Sequence, residues 1–236
     1  MSTRVPTAAA VPLALVALSV VPLTAGALRL VEVAGGPAVL PPDQRFTGFP
    51  LALVLHIAGS GVFALVGVLQ LVPRFRRRHL TWHRRAGRLV AVAGLAVAGS
   101  ALWLTVAYAP RAGNGEVLQA FRVVFGSAMA ACLVLGFAAV RRRDIAAHRA
   151  WMVRAYALGL AAGTQVFTEP LGAALFGDGV VVSDLAKGAG WVVNLAVAEW
   201  VVRGPLRGSA GHGVRQVGGV GQPVAGAVQP VAGGVR

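Results

Sequence analysis

Two short segments carry most of the residue types that do chemistry in this chain. They are His83-Arg84-Arg85-Ala86-Gly87-Arg88 and His148-Arg149-Ala150-Trp151-Met152-Val153-Arg154, each placed where a basic loop meets a long apolar run. An imidazole can ligate a metal or move a proton near neutral pH. A guanidinium is a planar fork of donors that fits carboxylates and phosphates. Histidine and arginine at matching ends of two membrane-length helices imply a ligand site on one face of a membrane, with His83, Arg84, Arg88, His148 and Arg149 as its candidates. His56 and Gln70 in another apolar run, and Arg154 within the second segment's helix, extend the set.

The elements that must position these groups are read from composition. The chain has 236 residues, of which 56% are hydrophobic and 13% charged. That charged fraction is about half the soluble norm of ~25%. The apolar residues come in blocks of the ~20 residues needed to cross a bilayer. The fold class expected is all-α, a polytopic transmembrane helix bundle with six spans. These run from about Ala8 to Leu30, Pro50 to Val72, Ala86 to Ala109, Ala120 to Val140, Ala150 to Thr168 and Leu185 to Val202. Residues 1–49 then hold the first helix and an outer loop, 50–203 the bundle, and 204–236 a tail. The tail is rich in Gly, Val and Pro, and Gln222-Pro223-Val224-Ala225-Gly226 recurs as Gln229-Pro230-Val231-Ala232-Gly233, so it is expected to be disordered. Ala25-Gly26-Ala27 resembles a signal cleavage site. The apolar stretch before it exceeds the usual signal core of ~7–15 residues, which favours a retained helix.

Arginine sets the orientation. Arg74, Arg76, Arg77, Arg78, Arg84, Arg85 and Arg88 fall in one loop region, and Arg141, Arg142, Arg143 and Arg149 in another on the same side. By the positive-inside bias both loops and both termini are cytoplasmic, in a cell membrane. The net charge of +14, from 22 Lys+Arg against 8 Asp+Glu, fits anionic lipid head groups as partners. Nucleic acid is excluded as a partner, because no nucleic-acid motif accompanies the charge. The single cysteine, Cys132, forms no internal disulfide and no cysteine metal site, and reads as a small apolar residue.

Within the spans, polar residues fall on stripes. At 100° per residue, His56, Ser60, Phe63, Gly67 and Gln70 share one face of the second helix. Such a stripe faces the bundle interior, either as interhelical hydrogen-bonding glue or as a ligand site. His83, Gly87, Val90, Gly94, Ala98, Ala101 and Thr105 line the third helix. Small residues of this kind let helices approach, or leave room for a flat cofactor. Arg154 lies inside a span, where a central arginine costs about 2.5–3.5 kcal/mol on insertion scales unless it snorkels or finds a partner. Glu199, at similar depth, is the partner expected for Arg154. Arg122 and Glu169 end helices on the other side and are the second expected pair. His79 and His83, four residues apart, could join His148 at a metal, but the arginines around His79 oppose a dication, and no metal is assigned.

Taken together, Leu55-His56-Ile57-Ala58-Gly59, the Gly67 to Gln70 stretch, His83-Arg84 with Gly87-Arg88, and His148-Arg149 with Trp151-Met152 and Arg154 resemble a bacterial membrane-protein family, the domain of unknown function 2306. The resemblance covers about Leu55 to Phe167. It implies a polytopic membrane fold, marks His56, His83, His148 and Arg154 as functional positions, and carries no activity. A distant resemblance to b-type cytochrome bundles implies haem b held by His83 and His148, although no second histidine recurs on either helix as those bundles have.

Three functions stay open. One is binding or transport of a small anionic or lipid-like solute. Another is electron transfer through haem b. The third is a structural or partner-binding membrane subunit, with a protein partner or a second copy equally open. Enzymatic activity is undecided, since no nucleophile triad, carboxylate pair or zinc-protease motif stands out.

Overall fold

The computed structural model describes residues 10–46, 48–111 and 113–209. Among them the chain is all helical, in eight helices: α1 (Ala10–Val33), α2 (Leu51–Leu71), α3 (Pro73–Arg78), α4 (Leu80–Ala107), α5 (Glu116–Arg141), α6 (Ile145–Gly159), α7 (Ala161–Phe176) and α8 (Val180–Ser209). Five of these, α1, α2, α4, α5 and α8, are long and apolar enough to cross a membrane. The fifth expected span is a pair of shorter helices, α6 and α7, joined end to end at Leu160. Residues 203–236 form a second unit, of which the turns to Ser209 are described. The expected start of the tail at residue 204 thus falls within α8, and the repeat at 222–233 lies outside the described residues.

The joint at Leu160 has a physical basis. Gly159 flanks it, and a Cβ there would meet the Phe63 ring. Leu160 is closed by a tight turn, its carbonyl accepting from the Gly163 N–H at 3.0 Å. The Ala157 carbonyl, one turn before the joint, accepts from the Asn194 side chain at 2.9 Å, and Asn194 Oδ1 accepts from Thr164 at 2.7 Å. A polar side chain on a neighbouring helix thus serves the backbone group beside the interruption, as lipid could not.

The core of the bundle lies among α2, α4, α5 and α6. Phe63, Val97, Ala98, Met129, Leu133, Ala155 and Tyr156 are buried together there. Many large apolar side chains point outward instead, Trp103, Phe167, Phe176 and Trp200 among them. Such an apolar exterior belongs to a chain whose solvent is lipid. Lipid gives helices no hydrophobic reason to associate, so close approach and polar contacts do more of the work. Gly67 admits the Tyr156 ring, and Tyr156 Oη donates to the Ala64 carbonyl at 2.8 Å. Gly94 on α4 admits Phe63 and Leu133.

Two connections set the positions of the candidate residues. After α2, Val72 is extended and Pro73 opens α3, where its missing N–H is no loss. His79 then turns the chain, and α4 begins with His83 in its first turn, its N–H bonded to the His79 carbonyl at 2.9 Å. The α5–α6 connection is tight. Arg143 takes a left-handed conformation at φ 62°, and Asp144 caps α6 by accepting from the Ala147 N–H at 2.9 Å. This places His148 in the first turn of α6, beside the end of α5.

Candidate functional site

The arginine-rich end of the bundle brings three of the candidate side chains together. Gln70 comes from the last turn of α2, His83 from the first turn of α4, and His148 from the first turn of α6. Gln70 Oε1 lies 3.6 Å from where a Cβ on Gly87 would stand, and Gly87 is one turn from His83 on the same face. His83 is within electrostatic reach of His148, Arg76 and Arg84. His148 Nδ1 is 2.8 Å from the Gly136 carbonyl. A carbonyl only accepts, so Nδ1 carries the hydrogen, and Nε2 of the neutral ring is left as an acceptor.

The distinctive feature is what these groups lack. Both amide atoms of Gln70, Nε2 and Oε1, are buried without a hydrogen-bond partner among the described residues, and so is His83 Nδ1. Buried polar atoms are nearly always bonded, and an unmet one costs about 1–3 kcal/mol. Three of them at the same end of the bundle, on Gln70 and His83, make a cradle with donor and acceptor capacity. Arg84, Arg88 and Arg149 are exposed on the outer sides of their helices and do not enter it.

The remaining candidates sit elsewhere. His56 Nδ1 is 3.2 Å from the Val97 carbonyl and 3.3 Å from Ser100 Oγ, so it joins α2 to α4. Arg154 Nε is 2.5 Å from Glu199 Oε1 and its Nη2 is 3.1 Å from Oε2, while its guanidinium lies 4.9 Å from the Trp151 ring centre. The small-residue face of α4, open in the sequence to a flat cofactor, is occupied by Phe63 and Leu133 at Gly94, which leaves the haem reading without support from packing. Among the described residues no group of three His, Cys, Asp or Glu is placed to hold a metal ion. The His79 ring lies instead against Phe75, tilted by 43° with ring centres 4.9 Å apart.

The expected Arg122–Glu169 pair does not form. Glu169 Oε1 accepts from Ser183 Oγ at 3.0 Å and meets Lys187 Nζ at 2.9 Å. The expectation took α5 and α7 as packed neighbours. In the structure α8 meets both, with Gly188 against Phe121 of α5 and Gly172 of α7 against Ala186, so Lys187 of α8 reaches Glu169. Sequence reading also missed Asp184, read as an outer-loop acid. It is 1% exposed and accepts from the backbone N–H groups of Gly115 and Leu118 at 3.1 Å, capping α5 from α8. Gly115, which offers no side chain to cap its own helix, is the signal that could have found it.

The model of the family described as predicted membrane protein (DUF2306) matches residues 53–202. The chain belongs to this family. The match takes in the cradle residues, the Arg154–Glu199 pair and most of α8, so the family core extends past the Phe167 limit read from the motifs. No curated protein matches the chain, and no solved structure matches it.

At the other end of the bundle, the segment between α1 and α2 folds over itself. Arg29 donates to Glu32 and to the Pro41 carbonyl at 2.8 Å, and Arg45 binds both oxygens of Asp43 at 2.8 and 2.7 Å. The Arg45 hydrogen bond holds the Asp43 carboxyl below its ordinary range, with Arg45 and Arg111 charge adding to it and burial opposing it. A lowered carboxyl pKa adds stability above the unfolded value of about 3.8, which is lost as pH falls through the lower folded value. Hydrogen exchange in residues 40–46, corrected for intrinsic rate, is therefore expected to stay slow down to about pH 4 and to rise below it. Asp43→Asn should abolish that acid dependence.

Proposed function

We propose that this protein is a multi-pass cell-membrane protein that binds a small polar or anionic solute at the cytoplasmic face, between α2, α4 and α6. The observation that carries this reading is the set of buried, unpartnered atoms on Gln70 and His83, with His148 within electrostatic reach of His83. The Gln70 amide supplies both a donor and an acceptor, and His83 Nδ1 supplies one more group of either kind. Arg76 and Arg84 make the surroundings positive, which favours a ligand carrying a carboxylate or phosphate. The exposed Arg84, Arg88 and Arg149 gather such solutes and anionic lipid head groups near the mouth. The arginine count of the two loops supports placing this end, and both termini, in the cytoplasm.

Farther along α2 from Gln70, Phe63 and Tyr156 fill the interior, so the proposed site opens to one side. The reading is therefore of a binding site, and transport would need a second arrangement of these helices.

The test uses the sign of a stability change. Gln70→Leu removes two unmet polar atoms, and it is expected to raise the ligand-free unfolding free energy by about 1 kcal/mol. The same change is expected to weaken, by about tenfold or more, whichever member of a panel of small carboxylates stabilises the wild type. Thermal unfolding of the purified protein in nanodiscs reads both. A Gln70→Leu protein that is less stable without ligand, and that responds to the panel as the wild type does, would sink the reading.

A further inference from the structure

The end of the bundle away from the arginine-rich loops carries arginines of its own. There the insertion bias disfavours them, a point that rests on the orientation proposed above. Arg29, Arg45 and Arg111 line a cavity of about 350 Å³ together with Ala25, Leu40, Pro41, Asp43 and Leu53. Arg122, half-buried on α5, lies within electrostatic reach of Arg45, Arg111, Asp184 and His56.

The partners of these arginines differ. Arg29 is engaged by Glu32 and the Pro41 carbonyl. Arg45 gives Nε and Nη2 to Asp43, which fixes the guanidinium and leaves Nη1 unused. The oxygens of Asp184 are taken by the Gly115 and Leu118 N–H groups. The side chains of Arg111 and Arg122 make no hydrogen bond or ion pair with any described residue. Two guanidiniums without an ion pair, which feel Asp43 and Asp184 only at a distance, thus lie within electrostatic reach of a third held in place by a carboxylate. A half-buried arginine without an ion pair, as Arg122 is, is costly in a membrane protein. A bound anion removes that cost, and guanidinium forks match the geometry of a phosphate or carboxylate.

We propose that Arg45, Arg111 and Arg122 form a second anion site, at the outer end of the bundle, for a phosphate- or carboxylate-bearing group. Asp43 orients Arg45 within it, and Arg122 adds its charge from α5. The site stands apart from the cradle of Gln70, His83 and His148 and does not depend on it.

The test uses the full-length protein in phosphatidylcholine nanodiscs, titrated with inorganic phosphate against chloride at matched ionic strength. Phosphate is expected to raise the unfolding temperature of the wild type. Arg122→Gln is expected to weaken that response about tenfold or more, the loss of one charge-assisted contact. Arg111→Gln, at an exposed side chain that makes no hydrogen bond or ion pair with a described residue, is expected to weaken it in the same direction and keeps the test open if Arg122→Gln fails to fold. Gln70→Leu should leave the response unchanged. A second arm replaces phosphatidylcholine with phosphatidylglycerol. A response to that lipid alone, again lost in the arginine variants, identifies a head-group phosphate as the source. The proposal is overturned if neither phosphate nor phosphatidylglycerol stabilises the wild type, if both arginine variants respond as the wild type does, or if Gln70→Leu removes the response.

Discussion

Asp184→Ala is expected to destabilise the protein by about 3 kcal/mol. The side chain is 1% exposed and one of its oxygens is shared by the N–H groups of Gly115 and Leu118, each at 3.1 Å. These donors belong to the first turn of α5, where backbone N–H groups have no partner within their own helix. No side chain caps that helix locally. A carboxylate there answers both the unmet donors and the positive end of the helix dipole. Alanine leaves both N–H groups buried, at about 1–3 kcal/mol each before relaxation. Asparagine keeps one acceptor oxygen and should lose about half as much. The effect is readable as a shift in reversible unfolding in mixed micelles. An alanine variant within about 0.5 kcal/mol of the wild type, the range of an inert surface change, would show that the cap is not needed.

The same residue marks where sequence reading stops. Apolar runs of membrane length are local signals, so the helices and the apolar exterior were readable. Depth is also local. Arg154 and Glu199 each lie a few residues from a basic helix end, and counting along two antiparallel spans brings them level. Neighbourhood is not local. Asp184 meets a helix that begins 68 residues earlier in the chain, and no period or motif announces it. Glu169 turned to Lys187 because α8 meets both α5 and α7. The joint at Leu160 escaped notice for a related reason. It lacks a proline, and the side chain that serves the carbonyl beside it, Asn194, arrives from a different helix. The cradle was legible in part. The two histidine segments marked its mouth, and the arginines beside them are exposed, while the unmet amide of Gln70 appears only once α2 is packed against Gly87.

Arg154→Ala is expected to cost about 3 kcal/mol, and the cost should depend on Glu199. The two side chains are 22% and 30% exposed and meet through two hydrogen bonds, with Trp151 beneath the guanidinium. Removing one charge leaves the other in a poorly solvated position, and breaking a buried pair costs about 3–5 kcal/mol, less where partial exposure screens it. Glu199→Ala should also destabilise. The double variant should cost less than the two single losses added together, by about 1–3 kcal/mol. Arg154→Lys is expected to recover only part of the loss, since an ammonium cannot span both carboxylate oxygens or stack on the indole as a guanidinium does. Additive losses in unfolding measurements would mean that the pair is a coincidence of geometry. Coupling would have a consequence at the cradle. Arg154 stands six residues after His148 on the same helix and ties that helix to α8. A bond that fixes the lie of α6 also fixes where His148 Nε2 points. The charge pair then serves to hold the acceptor of the proposed solute site in register with Gln70 and His83.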